Sequence, residues 1–272
     1  EINISSIVGM TELNNKRFLV VKIDANTFSL TDVDGVAINT TNFTTYGSAG
    51  TMNRVFQITT TYTTAEIFDL KFAQSADVMY ITHPNHQTRK LSRTGHTTWT
   101  LAAVEFTNGP FLDTNVSTTT LTPASAGVGT GVNVTASAVA GVNGGSGFLT
   151  TDVGRQIRIG DGYGIITART NTTVVVVTVT TAFANTNANT DWSLGAFSTT
   201  TGFPSCVSFF EQRLVFAASI NNPQTVYFSK SGDYENMDAN IGGTVADDDA
   251  IIYTIASNQV NAIRFMSSAR TL

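Results

Sequence analysis

Ile67 to Leu101 reads IFDLKFAQSADVMYITHPNHQTRKLSRTGHTTWTL. Two apolar runs, LKFA and VMYI, flank a polar turn, and the stretch closes on the Trp-centred TTWTL. An apolar pair, a turn and a second apolar run is how consecutive antiparallel strands read. The pattern recurs: LKFAQSADVMYI at Leu70 to Ile81 has a counterpart in VSFFEQRLVFAA at Val207 to Ala218 and a shorter one in IRFMSSARTL at Ile263 to Leu272. The starts lie 137 and 56 residues apart, and without the 88 residues of 112–199 the first interval becomes 49. An antiparallel repeat of roughly 40 to 55 residues has the size of a β-propeller blade. Leu70, Phe72, Val78, Tyr80, Leu91 and Trp99 are the expected core of the first blade.

The composition agrees with an all-β chain. Only 13% of the 272 residues are charged, against roughly a quarter in ordinary soluble domains, and β-branched Thr and Val with Asn, Gly and Ser take their place. The expected fold is all-β, with partial β-propeller blades and inserted small β-barrel or sandwich modules. Four regions follow from the pattern: a small β module over 1–57, a propeller-type blade over 58–111, an inserted small β domain over 112–200 and further blades over 201–272.

In the first region the strands KRFLVVKI, TFSLTD and TMNRVFQI are separated by Asx and Gly turns, and Phe18, Val20, Ile23, Phe28, Leu30 and Phe56 are the expected core by alternation. Thr63-Thr64-Ala65-Glu66 has capping-box spacing and predicts one or two turns of helix. In the insert, RQIRIG, GIITART and TVVVVTVT predict three strands, with Gly160-Asp161-Gly162-Tyr163-Gly164 as a tight hairpin. The chain begins without Met and stops within an expected strand pair, so it reads as part of a longer polypeptide.

The net charge of −5 provides no basic footprint for gripping nucleic acid. Without a long apolar run, no membrane insertion is expected. The single cysteine, Cys206, sits in an apolar run and reads as a small hydrophobe. His83, His86 and His96 all fall in the opening stretch, and His83-Pro84-Asn85-His86 brings two imidazoles near each other. Zinc wants further ligands, and no Cys or HExxH spacing lies nearby. The histidines therefore read as exposed residues of a hairpin loop, and no metal, cofactor or catalytic residue is expected. Asp69, Asp77, Glu211 and Asp233 read as solvated acids. Asp247, Asp248 and Asp249 form the densest acidic run.

Two blocks, LKFAQSADVMYITHPNHQTRKLSRTGHTTWTL and FPSCVSFFEQRLVFAASINNPQTVYFSKSGDYENM at Phe203 to Met237, resemble the tail nozzle (tail tubular) proteins of short-tailed bacteriophages. GMTELNNKRFLVVKIDANTFSLTDVDG at Gly9 to Gly35 is similar to the FCCH-like β module of such proteins, and FLTTDVGRQIRIGDGYGIITA at Phe148 to Ala168 resembles a second inserted module. The resemblance implies a non-enzymatic virion structural protein, assembled in the bacterial host cytoplasm as a homo-oligomeric ring, usually a hexamer. Its implied partners are the head-to-tail adaptor ring, tail fibres or spikes, and double-stranded DNA that passes through without specific binding. Asp247, Asp248 and Asp249 are then candidate lumen-facing acids. Alternative readings are a propeller-type carbohydrate-binding or glycan-hydrolysing tail protein and a secreted β-module adhesin.

Overall fold

In the computed structural model residues 1–241, 243–257, 259 and 261–268 are described. The chain divides into two compact units, 1–60 and 61–272. Both are built from antiparallel strands with short 3-10 turns between them, and the fold is all-β with propeller-like blades and small β modules.

The first unit is one sheet of four strands, β1 (Ile2–Val8), β2 (Lys16–Lys22), β3 (Phe28–Thr31) and β4 (Ser48–Arg54), in the order β3-β2-β1-β4. Ile4, Leu13 and Phe18 are buried, with Ile2, Ile7, Met10, Leu30, Ile38 and Phe43 packed around them. Alternation puts Val20 on the Phe18 face, but Val20, Ile23, Phe28 and Phe56 are exposed. The reason is coverage: the Thr11–Leu13 turn and the loop carrying Ile38 and Phe43 cap only one end of that face.

The second unit opens with a meander of β5 (Lys71–Ser75), β6 (Val78–His83), β7 (His86–Gly95) and β8 (Thr98–Ala103), paired in sequence order. Register shifts between Ile81 and His83 and between Arg93 and Gly95 curl this sheet. Of the expected blade core, Tyr80 is buried, Leu70, Val78, Leu91 and Trp99 are half-buried, and Phe72 is 54% exposed. The period of two explains Phe72: Ala73, opposite Tyr80, takes the inward place, which turns Phe72 to the other face of an edge strand.

Between β8 and the second blade lies a six-stranded module. Its strands are β9 (Leu121–Pro123), β10 (Gly129–Ala136), β11 (Gln156–Ile159), β12 (Gly162–Arg169), β13 (Val174–Thr181) and β14 (Trp192–Leu194), in the order β14-β11-β12-β13-β10-β9. Leu121 exchanges both backbone hydrogen bonds with Asn189, at 2.9 Å each, which brings the β9 edge to the chain entering β14 and curls the sheet on itself. Leu121, Val134, Phe148, Ile157, Ile166, Val177 and Trp192 fill its interior. The side chain of Gln156 ties the module to the chain leaving β8: its Oε1 accepts from Gly109 N–H, and its Nε2 donates to the Phe106 carbonyl.

The second blade repeats the first. β15 (Cys206–Phe210), β16 (Arg213–Ala217), β17 (Thr225–Phe228) and β18 (Ile251–Thr254) again pair in sequence order. Val207, Leu214, Phe216 and Tyr227 face Tyr80, Ala73 and Val78 of the first blade in one core, with the Tyr80 and Phe209 rings edge-to-face at 6.0 Å. Two sheets of like winding thus pack face to face, as blades do. The third copy of the repeat differs from expectation: none of its described residues is in a strand, and Ile263 and Met266 lie against Cys206, Ala217 and Val226 on the outer side of the second blade. Residues 269–272 fall outside the described residues.

Candidate functional site

A cluster of potential metal-ligating side chains sits at the tip of the first blade. Pro84 and Asn85 form the turn of the β6–β7 hairpin, so His83 and His86 are direct cross-strand partners, with ring centroids 5.0 Å apart. Far from being a loose loop residue, His83 is only 2% exposed. The third member arrives from upstream. No helix forms after Thr63; two successive turns do, in which Glu66 N–H donates to the Thr63 carbonyl and Asp69 N–H to the Glu66 carbonyl.

Thr63 still caps Glu66 as its spacing suggests, since its N–H and Oγ1 both donate to Oε2, at 2.9 and 2.8 Å. That leaves Oε1 free to meet His86 Nε2 at 2.8 Å. One donor atom from each of Glu66, His83 and His86 lies within 4.8 Å of the others. Tyr62 packs edge-on against the His86 ring at 5.2 Å, and its buried hydroxyl has no hydrogen-bond partner among the described residues.

Contacts and burial shift two members of the cluster. The Thr63 N–H, followed by the His86 ring and the Thr63 hydroxyl, lowers the Glu66 carboxyl to about 2. Burial, aided by the neighbouring His86, pushes His83 below the usual imidazole range, and Glu66 and Asp69 only partly oppose it. His96 takes no part; it is exposed in the β7–β8 turn beside Arg93.

The acidic run has a different structure. Asp249 is buried, and its carboxylate accepts from Lys230 Nζ and from Ala246 N–H, both at 2.8 Å. Arg213 gathers the run from below, donating to the carbonyls of Ser229, Asp247 and Asp249 at 2.6 to 2.7 Å. Asp247 and Asp248 are exposed, with Asp248 3.7 Å from Lys230. The run is therefore a loop folded around two cations, with two carboxylates left to solvent.

The remaining candidates are dispersed. Asp77 and Glu211 occupy the turns of separate hairpins, and Asp69 and Asp233 lie in other turns. Cys206 packs against Ala217 and Ala218, its Sγ lies within reach of the carbonyls of Ile263 and Arg264, and burial pushes the thiol up. A cleft between the inserted module and the loop after β17 carries Asp161 and Asp238 together with Phe111 and Tyr163. Those rings are only 4% and 6% exposed, so they offer no open stacking face. No protein-family model matches the chain, and no curated protein matches it. Among the described residues no helix is long and apolar enough to cross a membrane.

Proposed function

We propose that the chain is a structural, non-enzymatic subunit of a short-tailed phage tail nozzle, part of the channel through which DNA leaves the virion. One observation carries this reading. The two blocks that resemble the family, Leu70 to Leu101 and Phe203 to Met237, build the two like-wound sheets that pack face to face, and the spliced module lies between them in the chain. A joint of this kind suits load-bearing. Lys90 Nζ reaches both carboxylate oxygens of Glu235 at 2.7 Å, and the Tyr80 hydroxyl donates to the same carboxylate, so one acid on the second blade straps two residues of the first.

A conduit should release its cargo. The net charge of −5 and the sparse lysine and arginine disfavour phosphate contacts, and Asp247 and Asp248 are the exposed members of the candidate lumen-facing run, with Asp249 held by Lys230. The proposed partners remain copies of this chain in a ring, an adaptor ring and a fibre or spike.

Native mass measurement and negative-stain imaging test the proposal, on the protein alone and mixed with an adaptor ring. The expected particle is a closed ring with a central channel. A monodisperse monomer under both conditions overturns it. For the glycan reading, hydrolysis or retention of surface polysaccharide that disappears in Asp161→Asn or Asp238→Asn would replace the structural proposal.

A further inference from the structure

We propose that Glu66, His83 and His86 bind one divalent transition-metal ion, with zinc the best match to the donor set. Two imidazoles and one carboxylate are a recurring zinc set, and the three donors already lie within 4.8 Å of one another. Around a tetrahedral ion, donors at about 2.0 to 2.2 Å sit roughly 3.4 Å apart. The Glu66–His86 contact of 2.8 Å would open slightly, and His83 would close toward it.

A plain hydrogen bond between Glu66 and His86 accounts for those two side chains but not for the third. His83 is buried, with its ring centroid 5.0 Å from that of His86, and its Nδ1 accepts only a long 3.2 Å bond from Asn85 N–H. An ion would displace that weak bond and take the Nδ1 lone pair in its place. The buried Tyr62 hydroxyl, which has no hydrogen-bond partner among the described residues, stands beside the cluster. With three protein donors, the fourth position falls to that hydroxyl or to water.

The ion would act as a clamp. Glu66 lies on the segment leading into the blade and His86 lies 20 residues further on, at the hairpin tip. Coordination joins them, and binding to the folded chain alone raises its stability by mass action.

The test is equilibrium dialysis of the metal-stripped chain against Zn²⁺ at neutral pH, with Co²⁺ as a spectroscopic probe of coordination. One equivalent is expected to bind, to raise the melting temperature and to produce the visible absorption of low-symmetry Co²⁺. Glu66→Gln and His86→Gln are expected to weaken binding by more than about 100-fold, beyond the roughly 10- to 100-fold that altering a ligand's outer partner costs. His96→Gln is expected to bind as the wild type does. Glu66 and His86 side chains are 22% and 25% exposed, so these variants test the site even where the buried His83→Gln fails to fold. Uptake by the wild type no greater than by the Glu66→Gln/His86→Gln double variant overturns the site, as does equal loss in His96→Gln.

Discussion

Asp152 shows what a fully committed side chain looks like in this chain. Its Oδ1 accepts from Arg155 Nη1 and Thr200 Oγ1 at 2.8 and 2.7 Å, and its Oδ2 accepts from Asn143 Nδ2 and Leu149 N–H at 2.7 and 2.8 Å. Both Asp152 and Arg155 are out of solvent, and burial pulls the Arg155 guanidinium below its usual range while Asp152 restores part of it. Removing one partner strands the other charge, so Asp152→Ala is expected to cost roughly 3–5 kcal/mol in urea-induced unfolding; a loss under about 1 kcal/mol would refute the account. Asp249 contributes to the pH dependence. The Lys230 ammonium holds its carboxyl below the ordinary aspartate value of 3.8, so the pair's stabilisation is present above that pH and is lost as pH falls through the lower native value. Asp249 in turn raises Lys230, which adds stability below 10.5 that is lost as pH climbs through the higher native value. Stability of Asp249→Asn followed against pH should show a flattened acid limb; an unchanged limb would place the acid sensitivity elsewhere. Neither network was legible beforehand, because four partners drawn from 143, 149, 155 and 200 meet only once the module curls. The His83–His86 pairing did carry a signal: an X-Pro-Asn-X hairpin sets its flanking residues opposite each other. What the sequence could not show was Glu66 arriving beside them.

Hairpins and turns decide most of the elements, and two of them separate what local sequence dictates from what packing overrides. The β15–β16 turn is made by Glu211 and Gln212, both left-handed at φ 44° and 60°. Hairpins prefer Asn-Gly there, and a left-handed non-glycine residue costs about 1–2 kcal/mol. Glu211→Asn with Gln212→Gly is therefore expected to raise unfolding stability by about 1 kcal/mol. A neutral or destabilising result in thermal denaturation would mean that those side chains contribute contacts that offset the strain. The Thr63–Glu66 segment runs the other way. Its capping contacts form as the spacing predicts, yet no helix follows, because Ile67 and Phe68 are exposed and give a helix no apolar face to bury. Strands fared better: the apolar runs at Val78, Arg155, Thr173 and Val207 each became a strand, since short β-branched and aromatic runs bounded by turns suit a buried sheet. Phe72 marks the limit of that rule, as pattern alone does not say which of two faces the neighbouring sheet will cover.

At the scale of the whole molecule, the two recognisable copies of the repeat were the legible part, because each blade carries its own apolar pairs within a few residues of a turn. The path between them was less so: nothing local signals that Leu121 will exchange hydrogen bonds with Asn189 and curl six strands into one module. The division into 1–60 and 61–272 has a thermodynamic consequence. The first unit rests on three buried apolar side chains, Ile4, Leu13 and Phe18, whereas the second contains the module interior and the inter-blade core. A 60-residue unit is stable by only about 3–9 kcal/mol at typical values per residue, and Phe→Ala in a core costs about 3–5 kcal/mol. Phe18→Ala should therefore remove a large share of the first unit's stability and leave the second standing. Scanning calorimetry of the wild type is expected to resolve two transitions, the smaller one melting first. Phe18→Ala should lower or abolish the smaller transition and leave the larger in place, while Phe216→Ala should lower the larger and spare the smaller. A single cooperative transition that shifts as a whole with Phe18→Ala would show that the two units fold as one.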